Sequence, residues 1–246
     1  LKTLPILIGK RRARNLAVFF SIVFMLIIIF LIRSLFEEES YEFLGLYFLL
    51  FTFLPLLFFT YKLWSAKTKK HFHFLSNLMK EKGILVFLEA LKCLENKGLS
   101  YEAKIAGTMD SALEQEIFSK INNLKNTEYI GVVSGNRKKD LLNWSNVFVL
   151  PTFYKMEGLP ISILEALASK NVIVTTRHAG IPDIINENEQ GYFVEKKSVK
   201  SLSDRLEWLS NSLDVVGEIG HRNHVYFRNN FTVNQFKQGL LKILNA

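Results

Sequence analysis

Two stretches near the front of the chain are apolar on every side of a helix. Almost everything after residue 70 instead alternates short apolar runs with amphipathic ones. Residues 16–32 read LAVFFSIVFMLIIIFLI, and residues 43–61 read FLGLYFLLFTFLPLLFFTY with no charge. Each is about as long as a helix needs to cross a hydrocarbon core roughly 30 Å thick. A buried helix of a soluble domain keeps a polar stripe, which neither segment has. Pro55 inside the second is tolerated in a membrane helix with a kink. The short polar turn between them predicts a transmembrane hairpin, with helices over about 16–33 and 43–61 in a segment 1–64.

After a polar linker, 65–70 (SAKTKK), the pattern predicts one domain over 71–246. Strand patterns fall at 71–75, 101–106, 128–132, 146–150, 172–175 and 191–194. Helical periodicity falls at 83–94, 112–124, 138–144, 161–169, 181–185, 199–209 and 233–244. Leu85, Leu88, Leu91 and Leu94, recurring every third residue, carry the first of these helices. Short strands each followed by a helix predict an α/β fold, a parallel sheet covered on both faces. Ligands of such sheets bind at the carboxyl ends of strands, so the loops after Leu75, Ala106, Val132, Leu150 and Thr175 are the ones to inspect.

Composition sharpens both halves. The 246 residues are 49% hydrophobic, which excludes a disordered polar chain, and 11 of the 21 Phe fall within residues 1–64. A lone cysteine, Cys93, excludes an intramolecular disulfide framework and fits a reducing compartment. The net charge of +8 is uneven. Lys2, Lys10, Arg11, Arg12 and Arg14 precede the first apolar run, and Lys62, Lys67, Lys69 and Lys70 follow the second. The turn between carries Glu37, Glu38, Glu39 and Glu42 against Arg33. The positive-inside rule then puts both ends of the hairpin, and the following domain, in the cytoplasm of an inner-membrane protein. The first run is long for a cleavable signal peptide and no A-x-A-like site follows it. From residue 71 on, 21 Lys+Arg face 19 Asp+Glu, so the basic excess fits lipid headgroups rather than nucleic acid.

The most informative loop is 151–165, PTFYKMEGLPISILE. An apolar strand stops at Pro151, and Gly158-Leu159-Pro160 opens a helix whose free N–H groups offer a place for phosphate. Glu157 precedes this helix and Glu165 lies about one and a half turns inside it. Carboxylates beside a phosphate site make chemical sense if the ligand also carries hydroxyl groups for them to accept from. Spacing alone leaves open an ordinary helix with surface glutamates. No D-x-D occurs, and the five histidines form no zinc pattern with Cys93, so no metal is expected. His178, beside the next loop, is a candidate ligand contact.

Glu157 and Glu165, eight apart in EGLPISILEALA, resemble the paired-glutamate motif of family 4 retaining glycosyltransferases of the GT-B fold. FLSNLMKEKGILVFLEAL (74–91), AKIAGTM (103–109), YIGVV (129–133), NVFVLPT (146–152) and VIVTTRHAGIPDII (172–185) are similar to other segments of that family's C-terminal domain, in the same order. The resemblance covers roughly residues 70–246 and implies one Rossmann-like half of a GT-B enzyme. It implies a nucleotide-sugar donor and a lipid-linked or polysaccharide acceptor, with no cofactor and no metal. It assigns the donor diphosphate to Lys82, the donor sugar to Glu157 and the ribose hydroxyls to Glu165, with Gly158, Leu159 and Pro160 giving backbone contacts. Asn77 stands where many members carry an arginine for the diphosphate. Gly180 matches the second of a frequent glycine pair whose first is here Ala179. The family's N-terminal, acceptor-binding half has no counterpart in the sequence, so a separate N-terminal domain is an expected partner. An alternative is an inactive nucleotide-sugar-binding remnant. IRSLFEEES and the flanking apolar spans resemble the tail of O-antigen polymerases, which implies a fusion of surface-polysaccharide genes. A first residue Leu allows a truncated frame.

Overall fold

The computed structural model describes residues 10–36, 54–56 and 70–244, with the side chains of the first segment described at 16–30 and Arg33. The chain divides into two compact units, Leu1–Thr68 and Lys69–Ala246. In the first, helix α1 runs Lys10–Phe36. Among its described side chains Val18 and Ile28 are buried and Leu16, Ser21 and Met25 partly so; Val18, Ser21, Met25 and Ile28 recur at three- and four-residue spacing along one stripe, while Phe19, Phe20, Phe24, Leu26, Ile27 and Phe30 are exposed. Among the described residues no helix is long and apolar enough to cross a membrane. The second span expected from the sequence lies outside the described residues apart from 54–56.

The second unit is the α/β domain. Its elements are β1 (Lys70–Leu75), α2 (Ile84–Asn96), β2 (Tyr101–Ala106), α3 (Glu114–Asn122), β3 (Thr127–Tyr129) and α4 (Gly135–Trp144). They continue with β4 (Val147–Leu150), α5 (Ile161–Ala168), β5 (Val172–Thr176), β6 (Gly191–Val194), α6 (Val199–Asn211), α7 (Leu213–Asn230) and α8 (Val233–Leu244). Six described strands form one sheet in the order β3-β2-β1-β4-β5-β6, and every pairing is parallel. β4 (VFVL) and β5 (VIVTT) are buried at every position, as the interior of a parallel sheet requires. α2 turns Ile84, Phe87, Leu88, Leu91 and Leu94 into the core and packs against α6 and α3. α5 packs on β5 and α7, so helices cover both faces. Each such buried Leu or Phe contributes about 1.5–3 kcal/mol, which outweighs the cost of nucleating a thirteen-residue helix.

At the amino end of the sheet a neutral polar network closes the strand starts. Asn171 accepts from the Ser145 hydroxyl (2.7 Å) and donates to the Leu142 carbonyl (2.9 Å). Asn223 on α7 donates to the carbonyls of Asn171 and Gln190 (2.7 Å each). Asn146 accepts the His71 N–H (3.2 Å), and the His71 ring stacks on Trp144. Lys70 is buried here, and burial pushes its ammonium down to about 8 against the charge of Asp214, which pulls it up.

Several elements depart from the sequence pattern. β3 ends at Tyr129 instead of residue 132, because Gly131 turns the chain at φ +76°. α4 begins three residues earlier, at Gly135. The helix expected over 181–185 is a 3₁₀ turn, Ile181–Asp183. α7 answers to no expected element: its glycines, histidines and asparagines lower helix propensity, and burial of Val216, Ile219 and Asn223 against α5 and β5 overrides that.

Candidate functional site

The strand order reverses direction between β1 and β4, and at that point the loops from their carboxyl ends diverge and leave a crevice. After β1 the chain passes Ser76 and Asn77, makes a 3₁₀ turn (Lys80–Lys82) and enters α2 through Gly83 at φ +85°. Gly83 meets two demands at once. Its φ is left-handed, and a Cβ there would lie 2.5 Å from the Pro151 carbonyl oxygen at the end of β4. Gly107, after β2, is held likewise: φ is +143° and a Cβ would collide with the Ser76 carbonyl. The two glycines let three strand-end loops approach backbone to backbone, and the Phe153 N–H donates to the Glu81 carbonyl across the crevice (2.7 Å).

This close approach brings Lys82 and Glu157 together. Lys82 Nζ donates to Glu157 Oε2 at 2.7 Å, with side-chain exposures of only 13% and 7%. A pair so far out of water is not the weak, screened contact of a surface salt bridge. The buried Thr152 hydroxyl donates to the same oxygen (3.1 Å), and the Thr152 carbonyl in turn accepts from the Thr176 hydroxyl at the end of β5. Lys82 Nζ also lies 4.9 Å from the centre of the Tyr154 ring. Both polar contacts of Glu157 fall on Oε2, so a ligand hydroxyl has Oε1 to reach.

Glu165 lies apart from this cluster. From α5 it pairs with Lys138 on α4 (2.6 Å), with both side chains about one-third exposed. α4 follows the loop after β3, where Val132 is exposed and the Tyr129 hydroxyl donates to the Gly107 carbonyl (2.9 Å). Pro160 precedes the first residue of α5 instead of occupying it. α5 therefore begins with Ile161, and its first N–H groups, which have no intrahelical acceptors, open beside Gly158. A Cβ on Gly158 would meet nothing within 4 Å, so that side of its backbone is open to a ligand. Leu159 is partly exposed. Asn77 is exposed on the β1 loop.

The β5 loop closes the far side. The Gly180 N–H donates to the Gly158 carbonyl (3.2 Å). A Cβ on Gly180 would make only ordinary contacts, whereas Ala179 occupies φ +48°. The backbone demand for glycine thus falls on the position where this chain carries alanine, at a cost of about 1 kcal/mol. His178 is engaged by the protein at both ring nitrogens: Lys196 Nζ donates to Nδ1 (2.9 Å), leaving Nε2–H to donate to the Tyr154 carbonyl (2.7 Å). An open hollow of about 460 Å³ beside the site is lined by Lys80, Glu81, Leu85, Val86, Phe153 and Lys197. Among the described residues no three His, Cys, Asp or Glu side chains gather as a metal site.

Sequence reasoning singled out Lys82, Glu157 and Glu165 but passed over Thr152, Lys138 and Tyr154. Thr152 follows directly on the strand stop at Pro151, and a polar residue at that place is the signal that could have found it. Lys138 was visible only as the first residue of a predicted helix.

The profile of the family described as glycosyl transferases group 1 matches residues 61–218. The capsular polysaccharide biosynthesis glycosyltransferase CapM of Staphylococcus aureus is 26% identical over 161 residues, 65% of this chain and 41% of that protein. The C-terminal domain of LpcC, a group 1 family protein of Francisella tularensis, is 22% identical. It superposes with a TM-score of 0.59 over 67% of this chain and 87% of that domain. HepE of Anabaena, solved in complex with UDP-glucose, is 14% identical with a TM-score of 0.64, over 72% of this chain and 49% of that one. These structures share the fold, a Rossmann-like half of the GT-B type. The chain spans less than half the length of the curated relatives it matches.

Proposed function

Because the chain belongs to the family of group 1 glycosyl transferases, we propose that its α/β domain binds a nucleotide-sugar and that the protein transfers the sugar to a lipid-linked or polysaccharide acceptor. The observation that carries this reading is the Lys82–Glu157 pair, nearly buried at the topological switch of the sheet beside the start of α5. In it, Lys82 and the α5 N-terminus hold the diphosphate and stabilise its charge as it departs. Glu157 accepts from a sugar hydroxyl through Oε1, and Glu165, steadied by Lys138, accepts from the ribose. Gly158, Leu159 and Pro160 shape the backbone around the phosphates. Asn77 and Gly180 line the two flanking loops. Catalysis is then positioning plus charge stabilisation, with retention at the anomeric carbon and no metal. A separate N-terminal domain supplies the acceptor side. CapM, named for capsular polysaccharide biosynthesis, supports a surface polysaccharide as the destination.

The same reading includes a membrane anchor. An apolar helix α1 with one covered stripe and exposed Phe, Leu and Ile elsewhere fits one arm of a hairpin facing lipid. The basic residues at both ends of the hairpin, in 1–14 and 62–70, support a place for the α/β domain at the cytoplasmic face of the inner membrane.

Calorimetric titration of the detergent-solubilised full chain with UDP, GDP and their sugars tests the proposal. Saturable binding, weakened by both Lys82→Ala and Glu165→Ala, is expected. Absence of binding by the folded protein to any of these ligands would overturn it.

A further inference from the structure

The loop after β3 holds a cation that the protein only half uses. β3 ends at Tyr129, and the carbonyls of Ile130 and Gly131 just beyond it are spent on the protein. The Gly107 N–H donates to the Gly131 carbonyl (3.1 Å), and Arg137 Nη2 donates to the Ile130 carbonyl (3.2 Å). Arg137 sits in the opening turn of α4 and folds back seven residues to make this bond. The tether holds the guanidinium against the loop and leaves its other N–H groups unspent. Among the described residues Arg137 pairs with no carboxylate, whereas its neighbour Lys138 pairs with Glu165 (2.6 Å). The N–H and carbonyl groups of Val132 and Val133 take part in no hydrogen bond among the described residues either.

Position gives this cation a ligand. With the ribose at Glu165, the base lies one glycosidic bond away. Lys138 brings Glu165 against the same turn of α4 that carries Arg137, and Arg137 ties that turn to the β3 loop. The base then lies between the guanidinium and a loop whose Val132 and Val133 backbone groups remain open to it. A fork held in place with donors left over is preorganised to read a planar acceptor edge.

Chemistry narrows the base. A guanidinium only donates. Guanine offers it O6 and N7, and uracil offers O4, the carbonyl it shares with thymine. Adenine and cytosine carry an amino group at the equivalent place, so donor would face donor and both would go unpaired.

We propose that Arg137 selects the base, donating to the keto oxygen of guanine or uracil and turning away adenine and cytosine, so that the donor is a GDP- or UDP-sugar. The proposal rests on the transferase reading, which itself requires only that some nucleotide binds.

Calorimetric titration of the detergent-solubilised full chain with UDP, CDP, GDP and ADP compares a keto with an amino base at each ring size. A keto nucleotide should bind about tenfold or more tightly than its amino counterpart, the worth of a charged hydrogen bond, and the pair that binds identifies the ring. Arg137→Ala should bring that ratio to about one by weakening the keto nucleotide alone. Lys138→Gln, which acts through Glu165 on the ribose, should weaken every nucleotide by one common factor and leave the ratio standing. Equal affinity for keto and amino partners in the unsubstituted protein overturns the proposal and leaves the transferase reading in place. So does a keto preference that survives Arg137→Ala, which would assign the choice to the Val132–Val133 backbone. No binding of any of the four by the folded protein overturns the transferase reading, and this proposal with it.

Discussion

The two ends of the sheet are both polar, and they are polar in different ways. At the amino end, where Lys70 is also buried, Ser145, Asn171 and Asn223 form a network of neutral amides and hydroxyls that bond one another and nearby carbonyls. At the carboxyl end the polar groups are ions: Lys82 with Glu157, and Lys138 with Glu165. The neutral network spends its donors on the protein, with the Asn223 Oδ1 left without a hydrogen-bond partner, and locks the strand starts. The ionic pairs concentrate on single atoms, Oε2 of Glu157 above all, and keep donors and acceptors for something else. Polarity alone therefore does not mark a site. What marks it is charge held in place with bonding capacity left over.

The strongest way to break this contrast is to cut the neutral end. Asn171→Leu would take the buried amide away from the Ser145 hydroxyl and the Leu142 carbonyl, leaving them only their longer bond to each other (3.3 Å), and would also remove the donor to the Ser169 carbonyl. The expected cost is about 3 kcal/mol of stability, read by urea unfolding. Nucleotide affinity of the protein that remains folded should change less than about twofold, because the strand ends that shape the crevice lie at the other edge. A comparable loss of affinity would mean the two ends are not separable.

His73 probes the middle of the sheet. It sits fully buried on β1 with its ring 5.0 Å from that of Phe148. Burial pushes its imidazolium down to about 3; the Val147 backbone pulls slightly the other way, without a well-formed hydrogen bond to either ring nitrogen. The unfolded imidazole titrates near 6.5, so between those values the unfolded chain binds the extra proton. Stability therefore falls as pH drops below about 6.5, approaching about 1.4 kcal/mol per pH unit, roughly 2 kcal/mol by pH 5. His73→Phe should flatten that limb of a denaturation-versus-pH curve. An unchanged limb would place the acid sensitivity elsewhere.

These contrasts also explain what could be read without coordinates. β4 and β5 were legible because a fully buried strand is an unbroken apolar run, and α2 because Leu85, Leu88, Leu91 and Leu94 repeat at helical spacing. Lys82, Glu157 and Glu165 were legible only through family resemblance, since spacing left an ordinary helix with surface glutamates equally open. That Lys82 meets Glu157 was not legible at all, because 75 residues separate them and the contact depends on Gly83 fitting against Pro151. α7 was missed for the converse reason. Its propensity is low, and its helix exists because Val216, Ile219 and Asn223 find partners that lie far away in sequence.

Breaking the ionic end should invert the first result. Lys82→Met should weaken nucleoside diphosphate binding at least about tenfold, the worth of a charged hydrogen bond. It should also cost about 1–2 kcal/mol of stability by stranding a nearly buried carboxylate. The double variant Lys82→Met with Glu157→Gln should recover most of the stability and none of the affinity, measured by unfolding and calorimetry on the same samples. Recovery of binding in the double variant would show that Lys82 serves the fold and not the ligand.

The smallest change is the most selective. Thr152 touches no ligand in the proposed arrangement; it holds Oε2 of Glu157 so that Oε1 faces the sugar. Thr152→Val keeps the shape and removes the donor, together with the acceptor of the Tyr154 N–H (3.3 Å), at about 1 kcal/mol. If Glu157 serves the sugar and Lys82 the diphosphate, that loss should fall on one ligand and spare the other. Affinity for UDP-glucose should drop about fivefold while affinity for UDP holds, and Thr152→Ser should restore the difference. Equal loss for both ligands would mean that Thr152 props up the whole crevice. No loss for either would mean that Lys82 alone sets the carboxylate, and that the carboxyl end tolerates a missing neutral bond that the amino end does not.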